Sequence, residues 1–269
     1  MRPRTRLNDV RGFVLDVDGT LVHRAGDTVL VQPGAVELLK RIRAGGRPLV
    51  LFTNGSHVAP EDFAADLRAV GVPVADDELL TPLVSVRFWL RAHRPGGGVL
   101  LFGGDAARGY LEREGVRIVD GEDADVVFVA HADTVEFPRL EQAARAVLRG
   151  AKLLTASYQP AYAGANGPIF SRGAMTAAAL AKATGARPIV VGKPSRAALG
   201  AISERLGLPT RELAVIGDDV HMDIALGRMG GARTILVRSG ITGSTPLDRV
   251  PARSRPDFVV DGAVELLDL

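Results

Sequence analysis

Phe13-Val14-Leu15-Asp16-Val17-Asp18-Gly19-Thr20-Leu21 is an apolar run that ends in two aspartates two positions apart and then turns at glycine-threonine. A short apolar run of this kind, bounded by turn residues, reads as a buried strand over 12–17. In open α/β sheets, ligands bind beyond the carboxyl ends of parallel strands, which is where these aspartates would stand. Strand alternation would point Asp16 and Asp18 to the same side. If both stay ionised they repel, and a divalent cation is the usual means of keeping them together. If one carboxyl is raised in pKa, it becomes a general acid beside a nucleophile. The plain alternative is a strand-end turn with solvated aspartates. A calcium-binding EF-hand loop fits worse, because Leu21 and Asp27 stand where its glycine and its glutamate belong.

Outward from this stretch, short apolar runs alternate with longer amphipathic ones, the rhythm of βα units on a mostly parallel sheet. The pattern predicts strands at 12–17, 48–53, 98–102, 125–130, 152–156, 188–191, 213–217, 234–237 and 257–260. Helices are expected over 33–43, 60–70, 105–114, 137–148, 173–184 and 195–206. In the first of these, Val36, Leu39 and Ile42 recur at helical spacing before Gly45-Gly46 ends it. Residues of catalytic type cluster in the first 60 positions and again after 190. The stretch between has its own strands and helices. That distribution points to a core, 1–80 and 186–269, interrupted by an insertion at 81–185.

Composition narrows the class. The chain has 269 residues, 46% hydrophobic and 24% charged, too apolar for a disordered chain. Zero cysteines exclude a disulfide framework, a thiol nucleophile, an iron–sulfur cluster and cysteine-ligated zinc, and suit a reducing cytoplasm. The net charge of +2 is near balance, and only four of the 33 basic residues are lysines. Nothing in that balance calls for nucleic acid. The opening Met1-Arg2-Pro3-Arg4-Thr5-Arg6-Leu7 is basic, as in a secretory leader, but the apolar stretch Gly12-Phe13-Val14-Leu15 is short and runs straight into Asp16 and Asp18. No run approaches the ~18 apolar residues of a membrane helix. The expectation is a soluble cytoplasmic protein with no nucleic-acid or membrane partner.

Three further strand ends carry chemistry. Leu49-Val50-Leu51-Phe52 runs into Thr53-Asn54-Gly55-Ser56, which can offer a hydroxyl and backbone N–H groups to an anion, although such a turn is common without one. Ile189-Val190-Val191 runs into Gly192-Lys193-Pro194-Ser195. This is not a P-loop, since Arg187 and Pro194 stand where a glycine and a hydroxyl residue are required. What remains is one lysine at a strand end, able to offer a point charge to a phosphate or a carboxylate cluster, or merely solvated. Leu213-Ala214-Val215-Ile216 runs into Gly217-Asp218-Asp219, with His221 and Asp223 following. Two acidic strand ends are what an all-oxygen magnesium site needs. Asp223, early on the next helix, can instead serve the helix terminus. His221 reads as solvent-facing, since an oxygen-rich set favours magnesium over zinc.

In this order and spacing the motifs resemble the haloacid dehalogenase (HAD) superfamily of aspartate-nucleophile phosphatases. Asp16-Val17-Asp18-Gly19-Thr20 matches its first motif, Thr53-Asn54 the second, Lys193 the third, and Gly217-Asp218-Asp219 with Asp223 the fourth. The insertion lies where C2-capped members carry their cap, and the flanking runs look like the NagD-type branch. The resemblance implies an α/β protein, a Rossmann-like parallel-sheet core with a smaller α/β cap at 81–185. It implies a phosphate monoesterase using Mg²⁺ and acting on a sugar phosphate, nucleotide or phosphoglycolate-like metabolite.

By the same resemblance, Asp16 is the nucleophile and Asp18 the acid and base. Mg²⁺ is held by Asp16, the backbone carbonyl of Asp18, and Asp218. Thr53, Asn54, Gly55 and Lys193 bind the phosphate, and Asp219 and Asp223 support the metal waters and the lysine. Arg172, Tyr158, His131 and Asp133 are the insertion's candidates for substrate contact. A homodimer is suggested by the resemblance alone. Three departures bear on the substrate: Gly55 stands where relatives often carry a second asparagine, Ser157-Tyr158-Gln159 where they often carry Asn-x-Asp, and Ser171-Arg172-Gly173 where Pro-Gly is expected. The rival readings are a non-catalytic phosphometabolite-binding protein and a phosphotransferase or dehalogenase of the same fold. Asp18 argues against a dehalogenase, which has no use for an acid there.

Overall fold

The computed structural model describes residues 9–25, 28–164, 167–243 and 246–268. The basic opening at 1–7, Asp27 and part of the loop after Tyr158 lie outside them. The chain forms two compact units. One holds the chain up to Thr53, Phe63–Leu80 and the chain from Leu199 on; the other holds Asn54–Asp62 and Thr81–Ala198.

The first unit is built on a six-stranded, all-parallel sheet. Its order is Phe258–Val260, Arg233–Val237, Leu213–Gly217, Gly12–Asp16, Leu49–Phe52, Leu79–Leu80. The central strands are buried throughout, which explains why they read as unbroken apolar runs rather than alternating ones. From Gly12–Asp16 the chain builds first to one side, through Leu49–Phe52 and Leu79–Leu80. It later returns to add Leu213–Gly217 and the remaining strands on the other side. That reversal makes the carboxyl end of Gly12–Asp16 a topological switch point, the place where such sheets bind ligands. A small antiparallel hairpin, Val22–Ala25 with Thr28–Val31, follows the first strand.

The second unit has its own parallel sheet, ordered Ile189–Val190, Lys152–Thr155, Val126–Val129, Val99–Phe102. Strand alternation gives it two cores. Leu101, Phe128 and Leu154 face Leu83, Val86 and Trp89 of helix Pro82–His93 and Tyr110 and Leu111 of helix Asp105–Arg113. Leu100, Val127 and Leu153 face Ala143 and Val147 of Phe137–Leu148 and Ala177 and Leu180 of Arg172–Thr184. Each fully buried valine, leucine or phenylalanine among these stabilises by about 1.5–3 kcal/mol, so a two-sided core supports a unit of its own. Because Ile189–Val190 pairs with Lys152–Thr155, this unit runs beyond position 185, where the sequence reading ends the insertion. No helix among the described residues is long and apolar enough to cross a membrane.

Candidate active site

In the first unit, parallel register places Asp16 beside Phe52, so Thr53 follows at the same sheet end, and Asp218 directly follows the neighbouring strand Leu213–Gly217. Asp16, Asp218 and Asp223 are all buried, and one carboxylate oxygen from each lies within 4.8 Å of the others. Three carboxylates this close in a low-dielectric interior repel strongly unless positive charge sits against them. An all-oxygen donor set of this kind suits a hard divalent cation. The residues therefore fit a metal of that class.

Their supports are local. Thr20, also buried, donates its hydroxyl to Asp16 Oδ2 at 3.0 Å. Asp223 reaches back through a π-helical turn, Val220–Ile224, and its Oδ2 accepts from the Asp219 backbone N–H at 3.1 Å. Asp223, expected from the sequence to stand behind the metal, brings its carboxylate into the cluster itself. Asp219 instead caps that turn, its Oδ1 accepting from the backbone N–H groups of His221 at 2.6 Å and Met222 at 3.2 Å. His221 is exposed. The carboxylate of Asp18 lies outside the cluster. The strand ends at Asp16, and the backbone N–H groups of Leu21 and Val22 both turn back onto the Val17 carbonyl, so strand alternation stops there.

A loop that the sequence reading missed completes the acidic site. Asp218 Oδ2 accepts from the Ile241 N–H at 2.6 Å, and Thr242 N–H donates to the Asp218 carbonyl at 3.2 Å. A Cβ on Gly240 would sit 2.5 Å from Asp218 Cγ, and one on Gly19, at φ +88°, would sit 2.8 Å from it. Only glycine fits both places. The signal available beforehand was that 238–243 follows another predicted strand of the same parallel set. Gly240→Ala is expected to displace the Asp218 carboxylate and weaken divalent-cation binding about 10–100-fold, the usual effect of disturbing a ligand's supports. Titration calorimetry with Mg²⁺ on the folded variant reads this directly, and unchanged affinity would contradict it.

The second unit carries the other motif residues. Asn54 and Lys193, 139 positions apart, form a two-bond clamp. Lys193 N–H donates to Asn54 Oδ1 at 2.7 Å, and Asn54 Nδ2 donates to the Lys193 carbonyl at 2.9 Å. A Cβ on Gly192 would fall 2.5 Å from Asn54 Oδ1, so that glycine permits the clamp. Lys193 is 97% buried, being 3% exposed, which a solvated surface lysine would not be. Ser195 then caps the following helix, accepting from Ala198 N–H at 2.9 Å and donating to the Val191 carbonyl.

Ser56, two residues after Asn54, accepts from the His131 N–H at 3.0 Å, and the His57 ring meets the His131 ring edge-on at 5.9 Å. His131 Nε2 lies 3.4 Å from Asp133, which pairs with Arg172 at the first turn of its helix. Three of the four cap candidates thus form one cluster, and His57 joins it. Tyr158 is 44% exposed.

A family model described as haloacid dehalogenase-like hydrolase matches residues 13–117, and a second HAD-hydrolase-like model matches 190–266. The ribonucleotide monophosphatase NagD of Escherichia coli is 30% identical over 262 residues, 96% of this chain and 98% of that protein. An acid sugar phosphatase of Staphylococcus saprophyticus is 25% identical over 243 residues, covering 90% and 92% of the two chains. Among solved structures, a p-nitrophenyl phosphatase from Archaeoglobus fulgidus superimposes with a TM-score of 0.86 at 30% identity, covering 97% of this chain and 99% of that one. With strand-end motifs in place and likeness extending over nearly the whole length, the chain belongs to the haloacid dehalogenase-like hydrolases, in their NagD-type branch.

Proposed function

We propose that this phosphoric monoester hydrolase is a Mg²⁺-dependent phosphatase that cleaves a small phosphorylated metabolite through an aspartyl-phosphate on Asp16. The observation that carries the reading is the buried trio Asp16, Asp218 and Asp223 at the switch point of a parallel sheet. A phosphate monoester repels nucleophiles through its own charge, so catalysis is mainly positioning and neutralisation. Asp16, Asp218, Asp223 and the Asp18 backbone carbonyl would hold Mg²⁺, which would neutralise charge on nucleophile and phosphate.

The chain's own residues do the rest. The Thr20 hydroxyl fixes one oxygen of Asp16, leaving the carboxylate oriented for in-line attack on phosphorus. The P–O bond to the leaving alkoxide breaks as the Asp16–phosphorus bond forms, and Asp18 gives the alkoxide its proton. Asp18 then takes a proton from the water that attacks the phosphoryl group, which returns Asp16 and releases phosphate. Thr53 with the N–H groups of Asn54 and Gly55 binds the phosphoryl oxygens, and Lys193 adds the remaining positive charge. The Asn54–Lys193 clamp supports this by fixing the lysine's backbone to the phosphate loop.

Residues 81–185 act as the substrate-recognition cap, with Arg172, Asp133, His131 and Tyr158 meeting the leaving group. Relatives named ribonucleotide monophosphatase, acid sugar phosphatase and dihydroxyacetone phosphatase support a small phosphorylated metabolite as the class. A cytoplasmic homodimer is the proposed setting. The test is a phosphate-release assay over a panel of sugar phosphates, nucleotides and phosphoglycolate with Mg²⁺. Turnover of at least one metabolite is expected; binding without release across the panel would favour the non-catalytic alternative.

A further inference from the structure

Asp18 is not left to find its own orientation. Arg24, on the hairpin strand Val22–Ala25, donates its Nε–H to Asp18 Oδ1 at 2.6 Å. The same guanidinium lies 5.2 Å from the centroid of the Phe63 ring, and Phe63 is buried. The turn beneath is closed as well, with Gly19 N–H donating to the Val22 carbonyl at 2.7 Å and Asp18 bridged to Val22. Arg24 is therefore held on one side by an aromatic face and grips the carboxylate with the other. Both side chains are 42% exposed, so the pair adds little to stability. A planar, fixed donor over a ring is, however, well suited to set a direction.

We infer that Arg24 is a positioning residue for proton transfer: the hairpin anchors one oxygen of Asp18 so that the carboxyl group is presented in one orientation to the leaving group. This rests on the role proposed above for Asp18. Arg24 does not touch the phosphate in this account, and its effect must therefore pass entirely through Asp18. It should appear only where the leaving group needs a proton.

The experiment compares kcat/KM for an alkyl phosphate from the active panel with that for p-nitrophenyl phosphate, whose leaving group departs without protonation. This ratio reports the steps through phosphoryl transfer and not the later hydrolysis, which both substrates share. Arg24→Met keeps the apolar stem over Phe63 and removes the donor. It is expected to lower kcat/KM for the alkyl ester about 10-fold, a part of the ~10²–10⁴ that general acid–base catalysis supplies, and for the aryl ester by less than about two-fold. In an Asp18→Asn background the same substitution should change neither value further, because the group it orients is gone.

An equal fold-loss on both esters, or a further loss in the Asp18→Asn background, would overturn the inference, as would no loss at all. If Asp18→Asn itself leaves the alkyl ester unaffected, the acid role of Asp18 fails and Arg24's role fails with it. If Asp18→Asn is selective and Arg24→Met is silent, only the Arg24 assignment falls.

Discussion

Asp16→Asn is expected to end turnover, with a fall of about four orders of magnitude or more, the scale on which loss of a nucleophile acts. An amide has no anionic oxygen with which to attack phosphorus, yet it keeps the shape of the carboxylate. Its oxygen can still accept the Thr20 hydroxyl, so the local hydrogen bond survives. The substitution also removes one of three clustered buried negative charges. The metal-free variant should therefore unfold at the same temperature as the parent or higher. Phosphate release and thermal unfolding on the same preparation check both halves. A tenth of the parental rate in a folded variant would show that another group attacks.

Removing divalent metal has an effect of comparable size. EDTA is expected to abolish phosphate release and added Mg²⁺ to restore it, because the trio and an incoming phosphate bring only negative charge to one sheet end. Ca²⁺ should restore it poorly. Calcium accepts more ligands at longer distances, which would let Asp16 bind through both oxygens and lose its attacking lone pair. Mg²⁺ should also raise the unfolding temperature, since it binds the folded chain only. Full activity in metal-free buffer would remove the metal from the account.

Much of this was readable in the sequence for one physical reason: the central parallel strands of the first unit are buried on both faces, so each is an apolar run with reactive residues at or just beyond its end. Asp16, Thr53 and Asp218 stand out because the apolar run stops at them. The elements that escaped lack that contrast. Helix Pro82–His93 is buried at Leu83, Ser85, Val86, Trp89 and Leu90, a pattern that reads poorly against its neighbours, although Thr81-Pro82 is a fair helix-start signal and the Thr81 hydroxyl does accept from Leu83 N–H. The hairpins Val22–Ala25 with Thr28–Val31 and Ala161–Gly164 with Gly167–Phe170 have four-residue strands. Strand Leu79–Leu80 has only two residues.

At the site, what escaped was direction. Spacing places Asp218, Asp219 and Asp223 together but does not show that a π-helical turn sends Asp223 inward while Asp219 caps that turn. Nor does alternation along a strand foresee that the chain turns at Val17 and takes the Asp18 carboxylate to Arg24. Gly240 was invisible for another reason: its role is to be absent from the space that Asp218 fills.

The most direct test of a covalent route through Asp16 is the stereochemistry at phosphorus. The substrate would be a phosphorothioate monoester made chiral at phosphorus with two oxygen isotopes, hydrolysed in water of the third. Attack by a carboxylate followed by attack of water on the resulting aspartyl-thiophosphate inverts phosphorus twice, so the released thiophosphate should show net retention of configuration. Net inversion would mean that water attacks the ester in a single step, and would contradict the mechanism proposed for this chain.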